Sequence, residues 1–252
     1  MELIPRDSAA FRSAIEALKD FLPVAQLRIS RTGLCINGMD SSHVGFVDYK
    51  LAAADCDILK IDSPLTLGIN MTGLARTLGA VGNGDRVTLG VTPNQDKLLV
   101  SYTNDKVGKK VAFTVPLMDI TDDPLALPDL EYAGTVVLKT ADIANVIKEV
   151  SHFGDVMSLR LDPDGFHISA TGDGGSVRQT LELTDDRTME LTEDSVEASF
   201  GTKYIAGIMK GGASLSGITR IEFDTTQPMR ATFQFGTSSR FVSYLAPKIM
   251  DD

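Results

Sequence analysis

Tryptophan is absent from the 252 residues, and cysteine and histidine are scarce: Cys35 and Cys56, and His43, His152 and His167. Two cysteines cannot staple a chain of this length, and Cys35 sits between Leu34 and Ile36 in an apolar strand pattern. A reduced intracellular compartment is therefore expected rather than a disulfide framework. The histidines and cysteines have no zinc-ligand spacing, so no metal or other cofactor is expected. No apolar run reaches membrane-spanning length, which excludes a transmembrane helix. Residues 1–10 carry Glu2, Arg6 and Asp7 without an apolar core, which argues against a secretory signal. Positive charge is also in deficit, with 24 Lys and Arg against 34 Asp and Glu, a net of −10. That balance excludes a protein that coats nucleic acid with its whole surface, while leaving room for a local basic face.

What is present is ordinary for a globular chain: 43% hydrophobic and 23% charged residues, enough for one large domain or two of common size. Near the middle, residues 117–132 carry Pro124 and Pro128, each of which removes a backbone donor and biases its predecessor toward extended conformations. An exposed connector is expected there. Asp119, Asp122, Asp123 and Asp129 keep it in water, while Leu125, Leu127 and Leu130 stay apolar. Such leucines either lie on their own domain or line a groove for another protein's peptide.

The two sides of this connector repeat one another. Phe11, Ile15, Leu18 and Leu22 mark a helical face, followed by a hairpin of Leu27-Arg28-Ile29 and Leu34-Cys35-Ile36 around Gly33. Ile143, Val146, Ile147 and Val150 mark a second, followed by Leu159-Arg160-Leu161 and Phe166-His167-Ile168 around Gly165. Gly33 and Gly165, Leu27 and Leu159, Phe21 and Phe153, and Ile15 and Ile147 are all 132 residues apart. Further helices are expected over 72–81 and 203–210, where Leu74 and Leu78 match Ile205 and Met209 at 131. One offset shared so widely indicates duplication. The rest reads as alternating strand, so the expected class is α+β: two tandem similar domains, each with two short helices on antiparallel sheets, at 1–116 and 134–252 with a connector at 117–133.

Positive charge is concentrated on the helices. They hold Arg12, Lys19, Arg76, Lys148, Lys203 and Lys210 against Glu16, Asp20, Asp142 and Glu149; that net of +2 leaves −12 for the remainder of a chain at −10. Arg12 and Lys19 are seven apart, as are Lys203 and Lys210, and Lys148 precedes His152 by four, so each pair shares a face opposite the apolar one. A solvated amphipathic face explains one such helix. Four helices that each present a cation away from the apolar face, on an acidic chain, point to a surface facing phosphates, through contacts that are weak, salt-sensitive and independent of sequence. Such a protein needs another means of staying on DNA.

Met39-Asp40-Ser41-Ser42-His43-Val44, Glu16-Ala17-Leu18-Lys19-Asp20, Leu117-Met118-Asp119 and Tyr244-Leu245-Ala246-Pro247-Lys248-Ile249 resemble the eukaryotic-type sliding clamps, the proliferating cell nuclear antigen family, and the resemblance runs in order along the chain. It implies a closed ring of three identical subunits around duplex DNA, with helices lining the hole, so that topology supplies the retention. It places Arg12, Lys19, Arg76, Lys148, His152, Lys203 and Lys210 toward DNA. Head-to-tail contacts would pair residues 109–116 with 176–182 of a neighbour, with Lys109, Lys110 and Arg178 in or beside those strands. A groove for partner peptides would be formed by Met39, His43, Val44, Leu125, Leu127, Pro128, Pro228, Tyr244, Ala246 and Pro247. Its clients would be DNA polymerase, flap nuclease, ligase and clamp loader, each inserting a short helical turn with aromatic anchors. The implied location is the nucleus, or a viral replication compartment or archaeal cytoplasm for members from those sources. Gly79 and Pro163 depart from the family's usual lysines, the latter at the position that receives ubiquitin or its relatives, and with Gly73, Gly207, Gly211 and Gly212 suggest a divergent member.

Two alternatives compete. One is a subunit of a heterotrimeric clamp, of archaeal or checkpoint type. The other is a hydrolase using Ser41 and His43, although Asp40, Ser41 and His43 are nearly contiguous, whereas catalytic triads are assembled from distant segments. Residues 82–85 and 172–175 lack the lysine and hydroxyl of a nucleotide-binding loop and read as turns, as does Asp162-Pro163-Asp164-Gly165.

Overall fold

The computed structural model describes residues 1–82, 84–120, 130–182 and 184–248. Leu125, Leu127 and Pro128 of the expected groove lie outside the described residues. The chain divides into two compact units, the first made of Met1–Ser41, Val47–Leu125 and Phe235–Phe241, the second of Ser42–Phe46, Ala126–Gln234 and Val242–Asp252.

In the first unit the elements run β1 (Glu2–Pro5), α1 (Ser8–Phe21), β2 (Val24–Ser30), β3 (Gly33–Met39), β4 (Gly45–Ala52), β5 (Cys56–Lys60), β6 (Leu65–Asn70), α2 (Met71–Leu78), β7 (Arg86–Val91), β8 (Lys97–Asn104) and β9 (Lys109–Met118), the first two residues of β4 grouping with the second unit. Antiparallel pairing joins β2 to β3 and β6, and runs through β9–β8–β7–β1–β5 in succession. In the second unit come β10 (Gly134–Lys139), α3 (Thr140–Val150), β11 (Val156–Asp162), β12 (Gly165–Gly172), β13 (Gly175–Leu181), β14 (Thr188–Leu191), β15 (Val196–Gly201), α4 (Thr202–Ala213), β16 (Ile218–Phe223), β17 (Met229–Phe235) and β18 (Ser239–Leu245), the ends of the last two shared with the first unit. There β11 pairs antiparallel with β12 and β15, and β16 with β10 and β17, as β2 pairs with β3 and β6, and β7 with β1 and β8. The repeat is thus structural as well as written: β2 begins at Val24 and β11 at Val156, 132 residues later, while α2 begins at Met71 and α4 at Thr202, 131 later.

The helices form where the sequence supplies both an apolar stripe and a start signal. Phe11, Ala14, Ile15, Leu18 and Phe21 of α1 are buried at helical spacing, and the Asp7 carboxylate accepts hydrogen bonds from the Ala9 and Ala10 N–H groups at 2.9 Å each. That cap starts the helix three residues before the apolar face alone indicates. Asn70 caps α2 through the Gly73 N–H at 2.7 Å. Both hairpin glycines hold a left-handed conformation, Gly33 at φ +135° and Gly165 at φ +145°, which explains why glycine stands at both equivalent turns.

Three expectations are corrected. The helix expected over 72–81 ends at Leu78, so Gly79 is its C-cap and not a lining position within it. β9 runs to Met118, where Gly68 pairs with Met118 and Ile69 with Leu117, so strand pairing extends two residues into the stretch read as connector. The helix expected over 203–210 runs from Thr202 to Ala213, and Gly212 within it is a packing requirement, since a Cβ there would lie 2.0 Å from the Phe233 ring.

Candidate nucleic-acid interface and partner groove

Within the first unit α1 packs on α2, and within the second α3 packs on α4. Each helix buries one stripe and turns its cations away from it. Arg76, Lys148, Lys203 and Lys210 are exposed, and among the described residues none of them makes an ion pair. The last turn of every one of the four helices carries a base (Lys19, Arg76, Lys148 and Lys210), which also complements the negative end of the helix dipole.

Two of the four helix acids are engaged by other segments of the second unit. Asp142 is 3.1 Å from the Arg187 guanidinium, and Glu149 accepts a hydrogen bond from the Gln179 amide at 2.5 Å. Glu16 pairs with Lys19. On α1 this pair cancels and Asp20 stays exposed, whereas in the second unit Asp142 is paired with an arginine outside the helices and Lys148, Lys203 and Lys210 face solvent. Arg12 differs from the others, because its guanidinium donates to the Val81 carbonyl at 2.6 Å and ties α1 to the chain beyond α2. His152 lies past the end of α3 and is exposed.

Two strands present unpaired edges. Along residues 109–116, β9 pairs with β8 on one side, and β6 reaches it only at Leu117 and Met118 among the described residues. β13 pairs with β12 over its whole length and ends its sheet. Phe113 on β9 is 36% exposed although it shares the buried face of the sheet with Val115 and stacks obliquely on Tyr102. Lys110 and Arg178 are exposed beside these edges. Lys109 is not free for a neighbour: its ammonium is 2.9 Å from the buried Asp85 carboxylate and lies over the Tyr102 ring. The Gly82 N–H, Lys109 and the Asn104 amide together hold the Asp85 carboxyl down at about 2.

In the second unit one of the expected groove residues, Val44, is brought against the C-terminal segment. The Ala246 N–H donates to the Val44 carbonyl at 2.9 Å, and the Phe46 and Tyr244 rings lie 6.0 Å apart. His43 is exposed in a left-handed conformation at φ 56°, and Pro228 is half-buried. Met39 belongs to the other unit, at the end of β3. Pro247 and Lys248 border a pocket of about 630 Å³ completed by Glu197, Ala198, Ser199, Thr225 and Thr226, where the Lys248 N–H donates to the Ser199 carbonyl at 2.7 Å. No pattern in the sequence marked this pocket, because its lining comes from three separate segments and none of its residues is distinctive by type.

The hydrolase reading finds no support. Ser41 and His43 are both exposed, and among the described residues no hydrogen bond joins them to make a nucleophile and base. Among the described residues no group of three metal-ligating side chains gathers, and no helix is long and apolar enough to cross a membrane.

Comparison with known proteins agrees with this geometry. Residues 1–124 match the family model of the proliferating cell nuclear antigen N-terminal domain, and residues 126–249 that of its C-terminal domain. A proliferating cell nuclear antigen from Chaetomium thermophilum is 27% identical over 252 residues, covering 97% of this chain and 96% of the relative. With both domain models matched in order along almost its whole length, the chain belongs to the proliferating cell nuclear antigen family, the non-catalytic DNA sliding clamps.

Proposed function

We propose that three copies of this chain close head to tail into a ring around duplex DNA and tether replication and repair proteins to it. The observation that carries this reading is the pair of unpaired strand edges, one in each unit and similar in length, on a chain whose helices carry exposed cations. A strand edge with a half-exposed phenylalanine is a liability in a monomer and is satisfied when another chain's strand completes the sheet. Joining β9 of one copy to β13 of the next is a heterologous contact, which forms a closed ring when the rotation between copies returns to its start.

In such a ring the helices of both units face the hole. Lys19, Arg76, Lys148, His152, Lys203 and Lys210 meet the phosphate backbone there, while Arg12 acts through its hydrogen bond to Val81. Weak, averaged phosphate contacts are what sliding requires, since strong ones would hold the ring in place. The segment from Val44 to Phe46, Pro228 and the tail from Tyr244 to Pro247 contribute to the groove that receives short peptide motifs of polymerase, nuclease, ligase and clamp loader. The proposed location is the nucleus.

Retention on circular DNA tests the proposal. Clamp loaded onto a nicked plasmid should survive a high-salt wash and should be released when the plasmid is cut once. Loss during the wash, or equal retention on cut and uncut DNA, would contradict topological binding.

A further inference from the structure

The second unit carries a fixed cationic cluster on the outer face of its β10–β16–β17 sheet. Ile221, Phe223, Ala231 and Phe233 fill the core, so the alternate residues Arg220, Glu222 and Arg230 point to the opposite face. Glu222 and Arg230 are cross-strand partners, and the guanidinium grips the carboxylate at both ends, Nε and Nη2 each donating at 2.6 Å. Arg220 approaches the same carboxylate at 3.0 Å. Among the described residues, two arginines share this one glutamate, which leaves one positive charge in excess.

Arg230 is also held from above. The Tyr132 ring centroid is 5.0 Å from its guanidinium carbon, and Tyr244 lies on β18, the strand next to β17. Glu222 is 4% exposed, whereas the Arg230 side chain is 30% exposed. The glutamate is thus the buried anchor, and the arginine is the part that reaches the surface, next to Tyr244 and therefore beside the C-terminal tail.

We infer that Arg230, locked by Glu222 and Tyr132, is a specificity determinant that selects client peptides carrying an acidic side chain next to their aromatic anchors. A guanidinium already oriented loses little entropy on binding, and its uncompensated charge favours a carboxylate over a neutral amide of the same shape. The inference rests on the reading of this face as the partner groove.

The test uses the full chain and synthetic 16-residue peptides with a leucine and two aromatic residues on one helical turn. One glutamate is moved through the flanking positions, each peptide having a glutamine twin, and affinities are measured by calorimetry at low and high salt. At one position the glutamate peptide should bind about tenfold more tightly than its twin, as expected for one added charge-assisted hydrogen-bonded pair. The preference should shrink with salt. Arg230→Met leaves the buried Glu222 paired with Arg220 and the cluster neutral, so in that variant the twins should bind equally and as tightly as the glutamine peptide binds the unmodified protein. Equal binding of all twins to the unmodified protein, or a glutamate preference that survives in Arg230→Met, overturns the role of Arg230 and leaves the groove standing. Binding of no peptide at all refutes the groove itself and the inference with it.

Discussion

Asp55 should be among the most consequential single residues for the stability of the first unit. It follows the β4 strand, is 6% exposed, and its carboxylate accepts hydrogen bonds from the Thr237 N–H at 2.6 Å, the Ser238 N–H at 2.9 Å and the Ser239 hydroxyl at 2.7 Å. The Ser239 oxygen in turn accepts from the Ala52 N–H at 3.0 Å, so one carboxylate fixes the turn between β17 and β18 onto the end of β4. Replacing it by asparagine keeps the shape, removes the charge and turns one of the two accepting oxygens into an amide donor. Hydrogen bonds to a charged group contribute about 1.5–3 kcal/mol and neutral ones about 0.5–1.5, so losing at least one bond and weakening the others costs about 3 kcal/mol or more. For a chain of this size that lowers Tm by roughly 6–12 °C.

The pH dependence follows from the same contacts. Burial pushes the Asp55 carboxyl up, but the bonds from Ser239, Ser238 and Thr237 outweigh it and leave the group at about 2, below its ordinary 3.8. A carboxyl depressed on folding stabilises the native state above its unfolded value, and that contribution is lost as pH falls through the folded one. Calorimetry of the parent and Asp55→Asn should therefore show the full difference at pH 7, with the two curves converging between about pH 4 and pH 2. Equal stability at pH 7, or a gap that stays constant down to pH 2, would refute the reasoning.

Three other outcomes are expected. Lys203→Glu with Lys210→Glu should weaken loading and sliding on DNA in a processivity assay without changing the solution mass; unchanged processivity would count against the helix face as the DNA-facing surface. Val111→Asp with Phe113→Asp should leave monomers in sedimentation experiments, since two charges on the β9 edge oppose pairing with a neighbour's strand; an intact oligomer would place the contact elsewhere. Gly212→Ala should cost about 1–3 kcal/mol by forcing a methyl group into the Phe233 ring, read as a lowered melting temperature, and an unaltered one would contradict the packing of α4.

The repeat was legible in the sequence because the two copies share turn glycines and apolar spacing, and Gly33 and Gly165 mark equivalent hairpins. The helices were legible from their stripes, whereas their ends were set by polar signals: Asp7 extends α1 backward, and α2 stops before Gly79. Short strands such as β1, β5 and β14 were not visible, because a run of four or five residues carries too little alternation to stand apart from loop. The helix cations were readable by type and spacing. Their relative freedom was not, since it depends on Arg187 and Gln179 engaging Asp142 and Glu149 from distant segments. Lys109 shows the reverse, a cation that sequence assigns to an interface and the fold commits to Asp85. The Arg220–Glu222–Arg230 cluster escaped notice because its residues lie on two neighbouring strands with nothing unusual in either.

The central claim is that identical copies close a ring, and the solution mass of the purified chain by light scattering across a dilution series tests it most directly. The account predicts a mass of about three times 27.1 kDa that persists on dilution. A chain that remains monomeric at every concentration, as a subunit of a heterotrimeric clamp would when alone, contradicts it.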